Sequence, residues 1–240
     1  TEVQLLKRLS LFFLCMIFTF SQSALALDVA KFVQLIEYPN PQKPYFVELL
    51  TLALDTTVEE YGEFELQPVM IETGQERTSL MVDAGNMINL TWRMTSPELE
   101  GMLETVYVPL LKGIMGHRIF IIRKGEQGKF PSDLSLEALK QISVGQGYNW
   151  TDGKITTQHV FALVEGYGIY LLEMLAKKRF DYFPRALHEA WIEIKEEGEF
   201  VVEKNLMIKY LSPIYFFVSK SNSRLAKRLK KGMNNIVESG

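Results

Sequence analysis

Along the chain, apolar positions switch between the two-residue spacing of strands and the three-and-four spacing of helices. Phe46, Leu49, Leu50, Ala53, Leu54, Thr57 and Tyr61 recur at helical spacing, which predicts one long helix that lays an apolar stripe on a sheet and ends near Gly62. Before it, Val33–Tyr38 reads as a short buried strand, followed by a loop in which Pro39, Pro41 and Pro44 forbid regular structure. Phe64–Glu72 reads as a second strand and Met87–Trp92 as a third. Between them Arg77, Leu80, Met81 and Ala84 mark a short helix that stops at Gly85.

The same alternation resumes as a separate unit. Val106–Ile114 reads as an extended connector, and His117–Arg123 as a strand with Ile119, Ile121 and Ile122 supplying β-branched bulk. Helices are predicted over Leu134–Gln141, Tyr167–Lys178 and Ala186–Ile194. Strands are predicted over Ile142–Gly145, Phe161–Glu165 and Arg179–Phe183. Two more strands, Asn205–Tyr210 and Ile214–Val218, precede a final helix with Leu225, Leu229, Gly232, Met233 and Ile236 on one face and a solvated row of cations from Arg224 to Lys231 opposite. Such alternation fixes an α/β class and leaves the topology open.

The first residues set the compartment. Lys7 and Arg8 precede the apolar run Leu9–Phe20, and Ala24 and Ala26 then stand as an A-x-A site, the layout of a cleavable secretory signal peptide over 1–26. That run is short for a membrane span, and a retained N-terminal anchor is the alternative. Cys15 lies inside it, so a chain cut after Ala26 holds no cysteine for a disulfide, a thiolate nucleophile or a cysteine-bound metal. Losing Glu2, Lys7 and Arg8 with the leader moves the formal charge from −3 to −4. A mildly acidic chain without a basic block argues against nucleic acid as partner. With 47% hydrophobic and 12% aromatic residues, it has ample material for a packed core.

Catalytic and metal signatures are missing. His188-Glu189 begins a zinc-protease pattern, but Ile192 stands where its second histidine belongs, and His117, His159 and His188 have no metal-ligand spacing. There is no G-x-S-x-G elbow, and Trp150 replaces the third glycine of a dinucleotide fingerprint. The expectation is a protein with no catalytic residues, no metal and no cofactor.

Four segments taken in order carry a resemblance: Pro109-Leu-Leu-Lys-Gly-Ile-Met-Gly-His-Arg118, Gly145-Gln-Gly-Tyr-Asn-Trp-Thr-Asp152, Arg179-Phe-Asp-Tyr-Phe-Pro-Arg185 and Tyr210-Leu-Ser-Pro-Ile-Tyr-Phe-Phe217. Together they resemble a branch of the family 3 extracellular solute-binding proteins, similar to the polar amino acid receptors of ABC importers. The resemblance implies a two-lobed type II periplasmic binding protein fold with a double-crossover hinge. It would place residues 27–112 in lobe 1, 113–206 in lobe 2, and 207–240 on the return to lobe 1. It further implies a monomer in the periplasm that closes on a small polar solute such as an amino acid. Its partner would be an ABC importer permease or, for a sensing module of the same fold, a membrane sensor.

By the same resemblance, the ligand-binding turn maps to Gln146, Gly147 and Tyr148, and the acid that holds a ligand ammonium maps to Asp181. The family pattern Thr-x-x-Arg departs here to Thr95-Ser-Pro-Glu98, which leaves Arg93 as the substitute carboxylate clamp. Asp181 sits between Phe180 and Tyr182, so it must open onto a cleft or pair with Arg179 or Arg185. Tyr182 and Arg185 share its segment. Trp92 and Trp150 are either flat walls for a ligand or core, and Tyr45 either faces the cleft at a helix start or caps the core. Arg118 either touches ligand or holds the lobes together.

Overall fold

A computed structural model describes residues 27–34, 43–159, 161–194 and 198–240. The expected leader over 1–26 and most of the expected strand Val33–Tyr38 lie outside these residues.

The first body is built on a two-stranded parallel sheet and a three-stranded antiparallel one. Strand β1 (Asp28–Gln34) runs parallel to β2 (Phe64–Met70), while β11 (Ile214–Val218), near the end of the chain, lies antiparallel between β3 (Leu90–Met94) and β4 (Glu104–Val106). Asn89 joins these two sets of strands. Its backbone N–H donates to Lys31 O at 3.0 Å, its amide donates to Val29 O at 2.7 Å, and its side-chain oxygen accepts from Lys31 N–H at 2.8 Å.

Helix α1 (Lys43–Asp55) packs on one face of this layer beside the last helix, α9 (Ser223–Ser239). Phe46, Leu50 and Leu54 from α1 meet Leu225, Leu229 and Met233 from α9 over Leu90, Phe216 and Val218. The opposite face is covered by α3 (Gln75–Ala84) and α4 (Pro97–Met102), through Val82 and Leu99 against Phe217. With both faces covered, β11 reads Ile-Tyr-Phe-Phe-Val without alternation.

The single helix expected over 46–62 is two. After α1 the Thr57 hydroxyl donates to Leu54 O at 2.8 Å, and a one-turn helix α2 (Val58–Tyr61) follows. The cations of α9 also need correction. Arg228 is fully buried and donates to Asp28 (2.9 Å), Thr57 (3.0 Å) and the carbonyls of Gly62 (2.7 Å) and Leu54 (3.2 Å). Arg224, one turn earlier, bonds Asp28 at 3.1 Å and Tyr61 O at 2.6 Å. Far from being a solvated row, these two cations knot α9 to the start of β1 and to carbonyls around α2. Breaking such a buried pair costs about 3–5 kcal/mol.

The second body is a six-stranded sheet in the order β10-β5-β8-β6-β7, with β9 also on β5. Its strands are β5 (His117–Arg123), β6 (Val144–Gly147), β7 (Leu163–Gly166), β8 (Tyr182–Ala186), β9 (Phe200–Val202) and β10 (Ile208–Lys209). β6 is parallel to β7 and β8, and β5 is antiparallel to β8, β9 and β10. Helices α5 (Leu136–Lys140) and α6 (Thr151–Gln158) serve one face. Helices α7 (Leu171–Ala176) and α8 (Ala190–Glu193) serve the other.

The chain passes from the first sheet to the second between Val106 and His117 and returns between Lys209 and Ile214. The passages run side by side: Tyr210 N–H donates to Gly116 O at 3.1 Å, and Leu110 N–H to Ile214 O at 3.0 Å. Because β10 pairs with β5, the return crossing follows Lys209, three residues beyond the expected boundary at 206.

Candidate functional site

Connectivity in the second body selects a place before any side chain is considered. From β6 the chain crosses to β7 through α6 on one face, then returns to β8 through α7 on the other. The carboxyl ends of β6 and β8 therefore flank a point where the windings diverge, and open α/β sheets bind ligands at such points.

What stands there is the turn Gly147–Asp152 and, across from it, Arg185–Glu193. Asn149 turns the chain with a left-handed φ of +59°, which asparagine tolerates. Trp150 then folds back so closely on Gly147 that a Cβ there would lie 2.0 Å from the indole. The Arg185 guanidinium stacks on that indole, 5.1 Å from its centroid. Its Nε donates to both oxygens of Glu193, at 2.8 and 2.9 Å, and its Nη2 lies 3.2 Å from Glu189. Glu189 also lies 3.5 Å from Arg118 Nη1. Arg118, with a side chain only 1% exposed, donates to Asp152 at 2.7 Å and to the Tyr210 hydroxyl at 2.9 Å, and that hydroxyl bonds Asp152 in turn.

Two guanidiniums thus face three carboxylates in one connected network. Burial alone would raise Glu189, but Arg185 and Arg118 hold it below the usual glutamate range. Burial dominates at Glu193 and raises it, against the pull of Arg185. His188 is lowered by burial first, and neither ring nitrogen has a partner among the described residues, so it stands neutral within the fold.

The first body brings Glu98 to the opposite side. This exposed carboxyl, at the start of α4, is held low by the Ser96 hydroxyl, then by its own backbone N–H, then by Lys154. Lys154 belongs to α6 of the second body, and its charge reaches Glu98 of the first.

The expected site residues fall into separate groups. Gly147, Trp150 and Arg185 come together at the strand ends, Gln146 is buried in β6 and lines a pocket with Arg118 and Tyr182, and Tyr148 stands at the rim, more than half exposed, with its ring 6.2 Å from Tyr167. The Tyr148 backbone N–H, expected to face a ligand, donates instead to Gly166 O at 2.7 Å. Asp181 is elsewhere. It precedes β8, at the opposite end of the strand from Arg185, and accepts from Lys129 (2.7 Å), Ser143 (2.6 Å) and Arg123 (3.2 Å). Those partners replace the Arg179 or Arg185 pairing, and Asp181 cannot share a ligand with the strand-end turn. Tyr182 is fully buried against Phe120 and Phe130, at 4.7 and 5.7 Å, rather than facing the cleft.

In the first body, Arg93 is no free clamp. Its guanidinium donates to Gln75 O and Ser79 Oγ, both at 2.7 Å, and to Gln75 Oε1 at 3.1 Å, which fixes it on α3. Trp92 packs among Phe32, Phe46 and Phe216 at 5.5–6.2 Å as part of the core. Tyr45 donates its hydroxyl to Leu110 O at 2.7 Å and so tethers α1 to the first crossing.

No family model and no curated protein matches the sequence. Solved structures do match it in shape. The probable amino-acid ABC transporter extracellular-binding protein ytmK from Bacillus subtilis superposes with a TM-score of 0.64 at 14% identity, over 90% of this chain and 94% of that one. A histidine kinase sensor domain with similarity to periplasmic binding proteins gives 0.64 at 15% identity, over 91% and 93%. An ancestral arginine-binding protein bound to arginine gives 0.62 at 14%, over 88% and 92%. The fold is that of the two-lobed periplasmic binding proteins. The bodies described above are accordingly its lobes, and the paired passages are its hinge.

Asp152, Glu189, Glu193 and Glu98 stand at the candidate site without having been expected there from the sequence. Arg185, Glu189 and Glu193 are spaced by four, so the pattern held a sign of their linkage. Asp152 closes the quoted segment Gly145–Asp152, in the first turn of a helix that was not foreseen. Among the described residues, no cluster of three His, Cys, Asp or Glu is placed to hold a metal ion, and no helix is long and apolar enough to cross a membrane.

Proposed function

We propose that the protein is a periplasmic solute-binding protein that closes its lobes on a small zwitterionic or cationic molecule of amino-acid type and delivers it, as a monomer, to an ABC importer. What supports this reading is the periplasmic-binding-protein fold together with a strand-end network of two guanidiniums and three carboxylates, where the windings of the second sheet diverge. A guest with an ammonium and a carboxylate adds contacts to both sides only when the gap closes, and those extra contacts are what favour the closed form. The ancestral arginine-binding protein of like fold was also solved with glutamine, which supports the ligand class.

The reading is of a binder rather than an enzyme. Asp152, Glu189 and Glu193 are each engaged by arginine, an arrangement that holds shape. The likeness to a kinase sensor domain favours a second reading, a ligand-sensing module that signals to a membrane partner.

The test is a thermal-shift screen of amino acids, short peptides and organic acids on the purified chain. A ligand at about a hundred times its Kd adds about 2.7 kcal/mol, or about 5–11 °C in Tm for a chain of this size. Glu98→Gln should reduce that shift for cationic ligands. If no polar molecule moves Tm, the reading is wrong. Binding of the loaded protein to permease-bearing vesicles, or its failure to bind them, separates import from sensing.

A further inference from the structure

His188 stands between Arg185 and Glu189 in sequence, in a turn that backbone and side chain close together. Glu189 N–H donates to Ala186 O at 2.8 Å, Ala186 N–H donates to the Glu189 carboxylate at 3.1 Å, and Leu187 N–H donates to His117 O at 3.0 Å. His188 itself is half-buried. Neither ring nitrogen reaches the surface, and neither has a hydrogen-bond partner among the described residues.

The charges that reach the ring are Glu189 in its own turn, Arg118 from β5 and Arg185 from β8. Behind them stand Asp152 of α6, Glu193 of α8 and the Tyr210 hydroxyl of the return passage, held by the same two guanidiniums. A neutral imidazole fits this setting. An imidazolium does not, because it brings two N–H donors without acceptors and a further positive charge beside Arg118 and Arg185, which already share Glu189. Burial above all, aided by the two arginines against Glu189, keeps the ring below the ordinary histidine range.

We propose that His188 is a proton sensor for the strand-end network: when it takes up a proton, the turn Ala186–Glu189 opens, the ring reaches water, and Glu189 is drawn away from Arg118 and Arg185. Two supports loosen together. Arg118 grips the Tyr210 hydroxyl on the return passage, and Arg185 lies on the Trp150 indole of the strand-end turn. Acid therefore softens the hinge and one wall of the gap at once, and in the proposed function it releases the guest. That last consequence rests on the binding reading, whereas the sensor operates without any ligand.

Above about pH 6.5 the imidazole is neutral in the closed and the opened turn alike, so protons favour neither. Below it the opened turn takes up a proton that the closed turn refuses, and opening grows about tenfold per pH unit until the closed form protonates too. Ring-proton NMR titration of the ligand-free full chain, assigned with His188→Gln, should place His188 below the ordinary histidine range. Amide hydrogen exchange at about pH 7.5 and about pH 5 then compares the native chain with His188→Gln, which cannot charge, so the intrinsic pH dependence of exchange cancels. The two should agree near neutrality, and in acid the native Leu187 and Glu189 amides should exchange roughly 3- to 10-fold faster than those of the variant. If His188→Gln does not fold, His188→Leu is the uncharged control, and the native ring titration still decides. The proposal is overturned if His188 titrates at or above about pH 6.5, or if native and variant amides keep one protection ratio at both pH values. Neither result bears on whether a solute enters the gap, so the sensor and the binding reading fail separately.

Discussion

Replacing Asp152 by asparagine keeps the shape of the side chain and its capacity to accept from Arg118 and Tyr210, and removes only its charge. That charge is held where water hardly reaches: the Asp152 side chain is 9% exposed and that of Arg118 1%. After the change Arg118 retains the Tyr210 hydroxyl at 2.9 Å, and its nearest remaining carboxylate is Glu189 at 3.5 Å, which Arg185 already engages. Breaking a buried pair costs about 3–5 kcal/mol, and the retained partners place Asp152→Asn at the low end, about 3 kcal/mol. For a chain of this length that is a fall of about 6–12 °C in Tm. Arg118→Met should be at least as destabilising, because it strands Asp152 without a cation. The double variant removes both charges and should lose less than the two singles combined, by about 1.5 kcal/mol or more. Urea unfolding followed by far-UV circular dichroism measures all three. Strict additivity, or an Asp152→Asn variant within about 0.5 kcal/mol of the native protein, would refute the view that this network is a coupled ionic unit.

Two further outcomes follow from packing and charge. At Gly232 an added Cβ would meet Ala53 O at 1.9 Å, so Gly232→Ala must push α9 off α1. Despite the better helix propensity of alanine, a net loss of about 1–3 kcal/mol is expected in urea, and a more stable variant would contradict the contact. Burial works to raise Asp181, yet Lys129 and Ser143 outweigh it and hold its carboxyl below the ordinary aspartate range. A depressed folded-state value contributes stability that is fully present above the unfolded value, near pH 4, and is lost as pH falls through the folded one. The native protein should therefore exceed Asp181→Asn in urea midpoint at pH 7, with the advantage shrinking toward pH 3; a gap that persists in acid would assign the effect to shape instead of charge.

Legibility in the sequence followed burial on two faces. The bounds of His117–Arg123 and Ile214–Val218 were readable to the residue because strands covered on both sides are continuous apolar runs. Helix α6 was not readable, since Thr-Asp-Gly-Lys-Ile-Thr-Thr-Gln has no apolar stripe and is held by a few contacts such as Ile155 and by Asp152 in its first turn. Asp181 shows a different limit. Sequence alone required that a carboxylate in an apolar segment find a partner, but Lys129 and Arg123 come from 52 and 58 residues away, and adjacency pointed to the wrong arginines. Arg228 failed in the same way: on a helical wheel it belongs to the polar side, and only the approach of Asp28 and the carbonyls of 54 and 62 makes its burial tolerable.

The positions of these tethers also determine where the lobes can bend. On the first-lobe side the crossings are pinned by Leu110 N–H to Ile214 O, by the Tyr45 hydroxyl on Leu110 O and by Thr95 N–H on Pro213 O. On the second-lobe side they are pinned by Tyr210 N–H to Gly116 O, and Arg118 and Asp152 grip the Tyr210 hydroxyl. Between the pins lie only Leu111–Met115 in one passage and Leu211–Ser212 in the other. The first contains Lys112 and Gly113 in left-handed conformations, at φ +47° and +86°, and in the second Leu211 is 95% exposed. A rotation of one lobe against the other has to be absorbed in those few residues, because backbone change elsewhere would break a buried hydrogen bond or an ion pair. The buried network thus moves with the second lobe as one piece. In the proposed closure it carries the strand-end turn toward the first lobe without rearranging, so that motion requires no disruption of its most deeply buried charges.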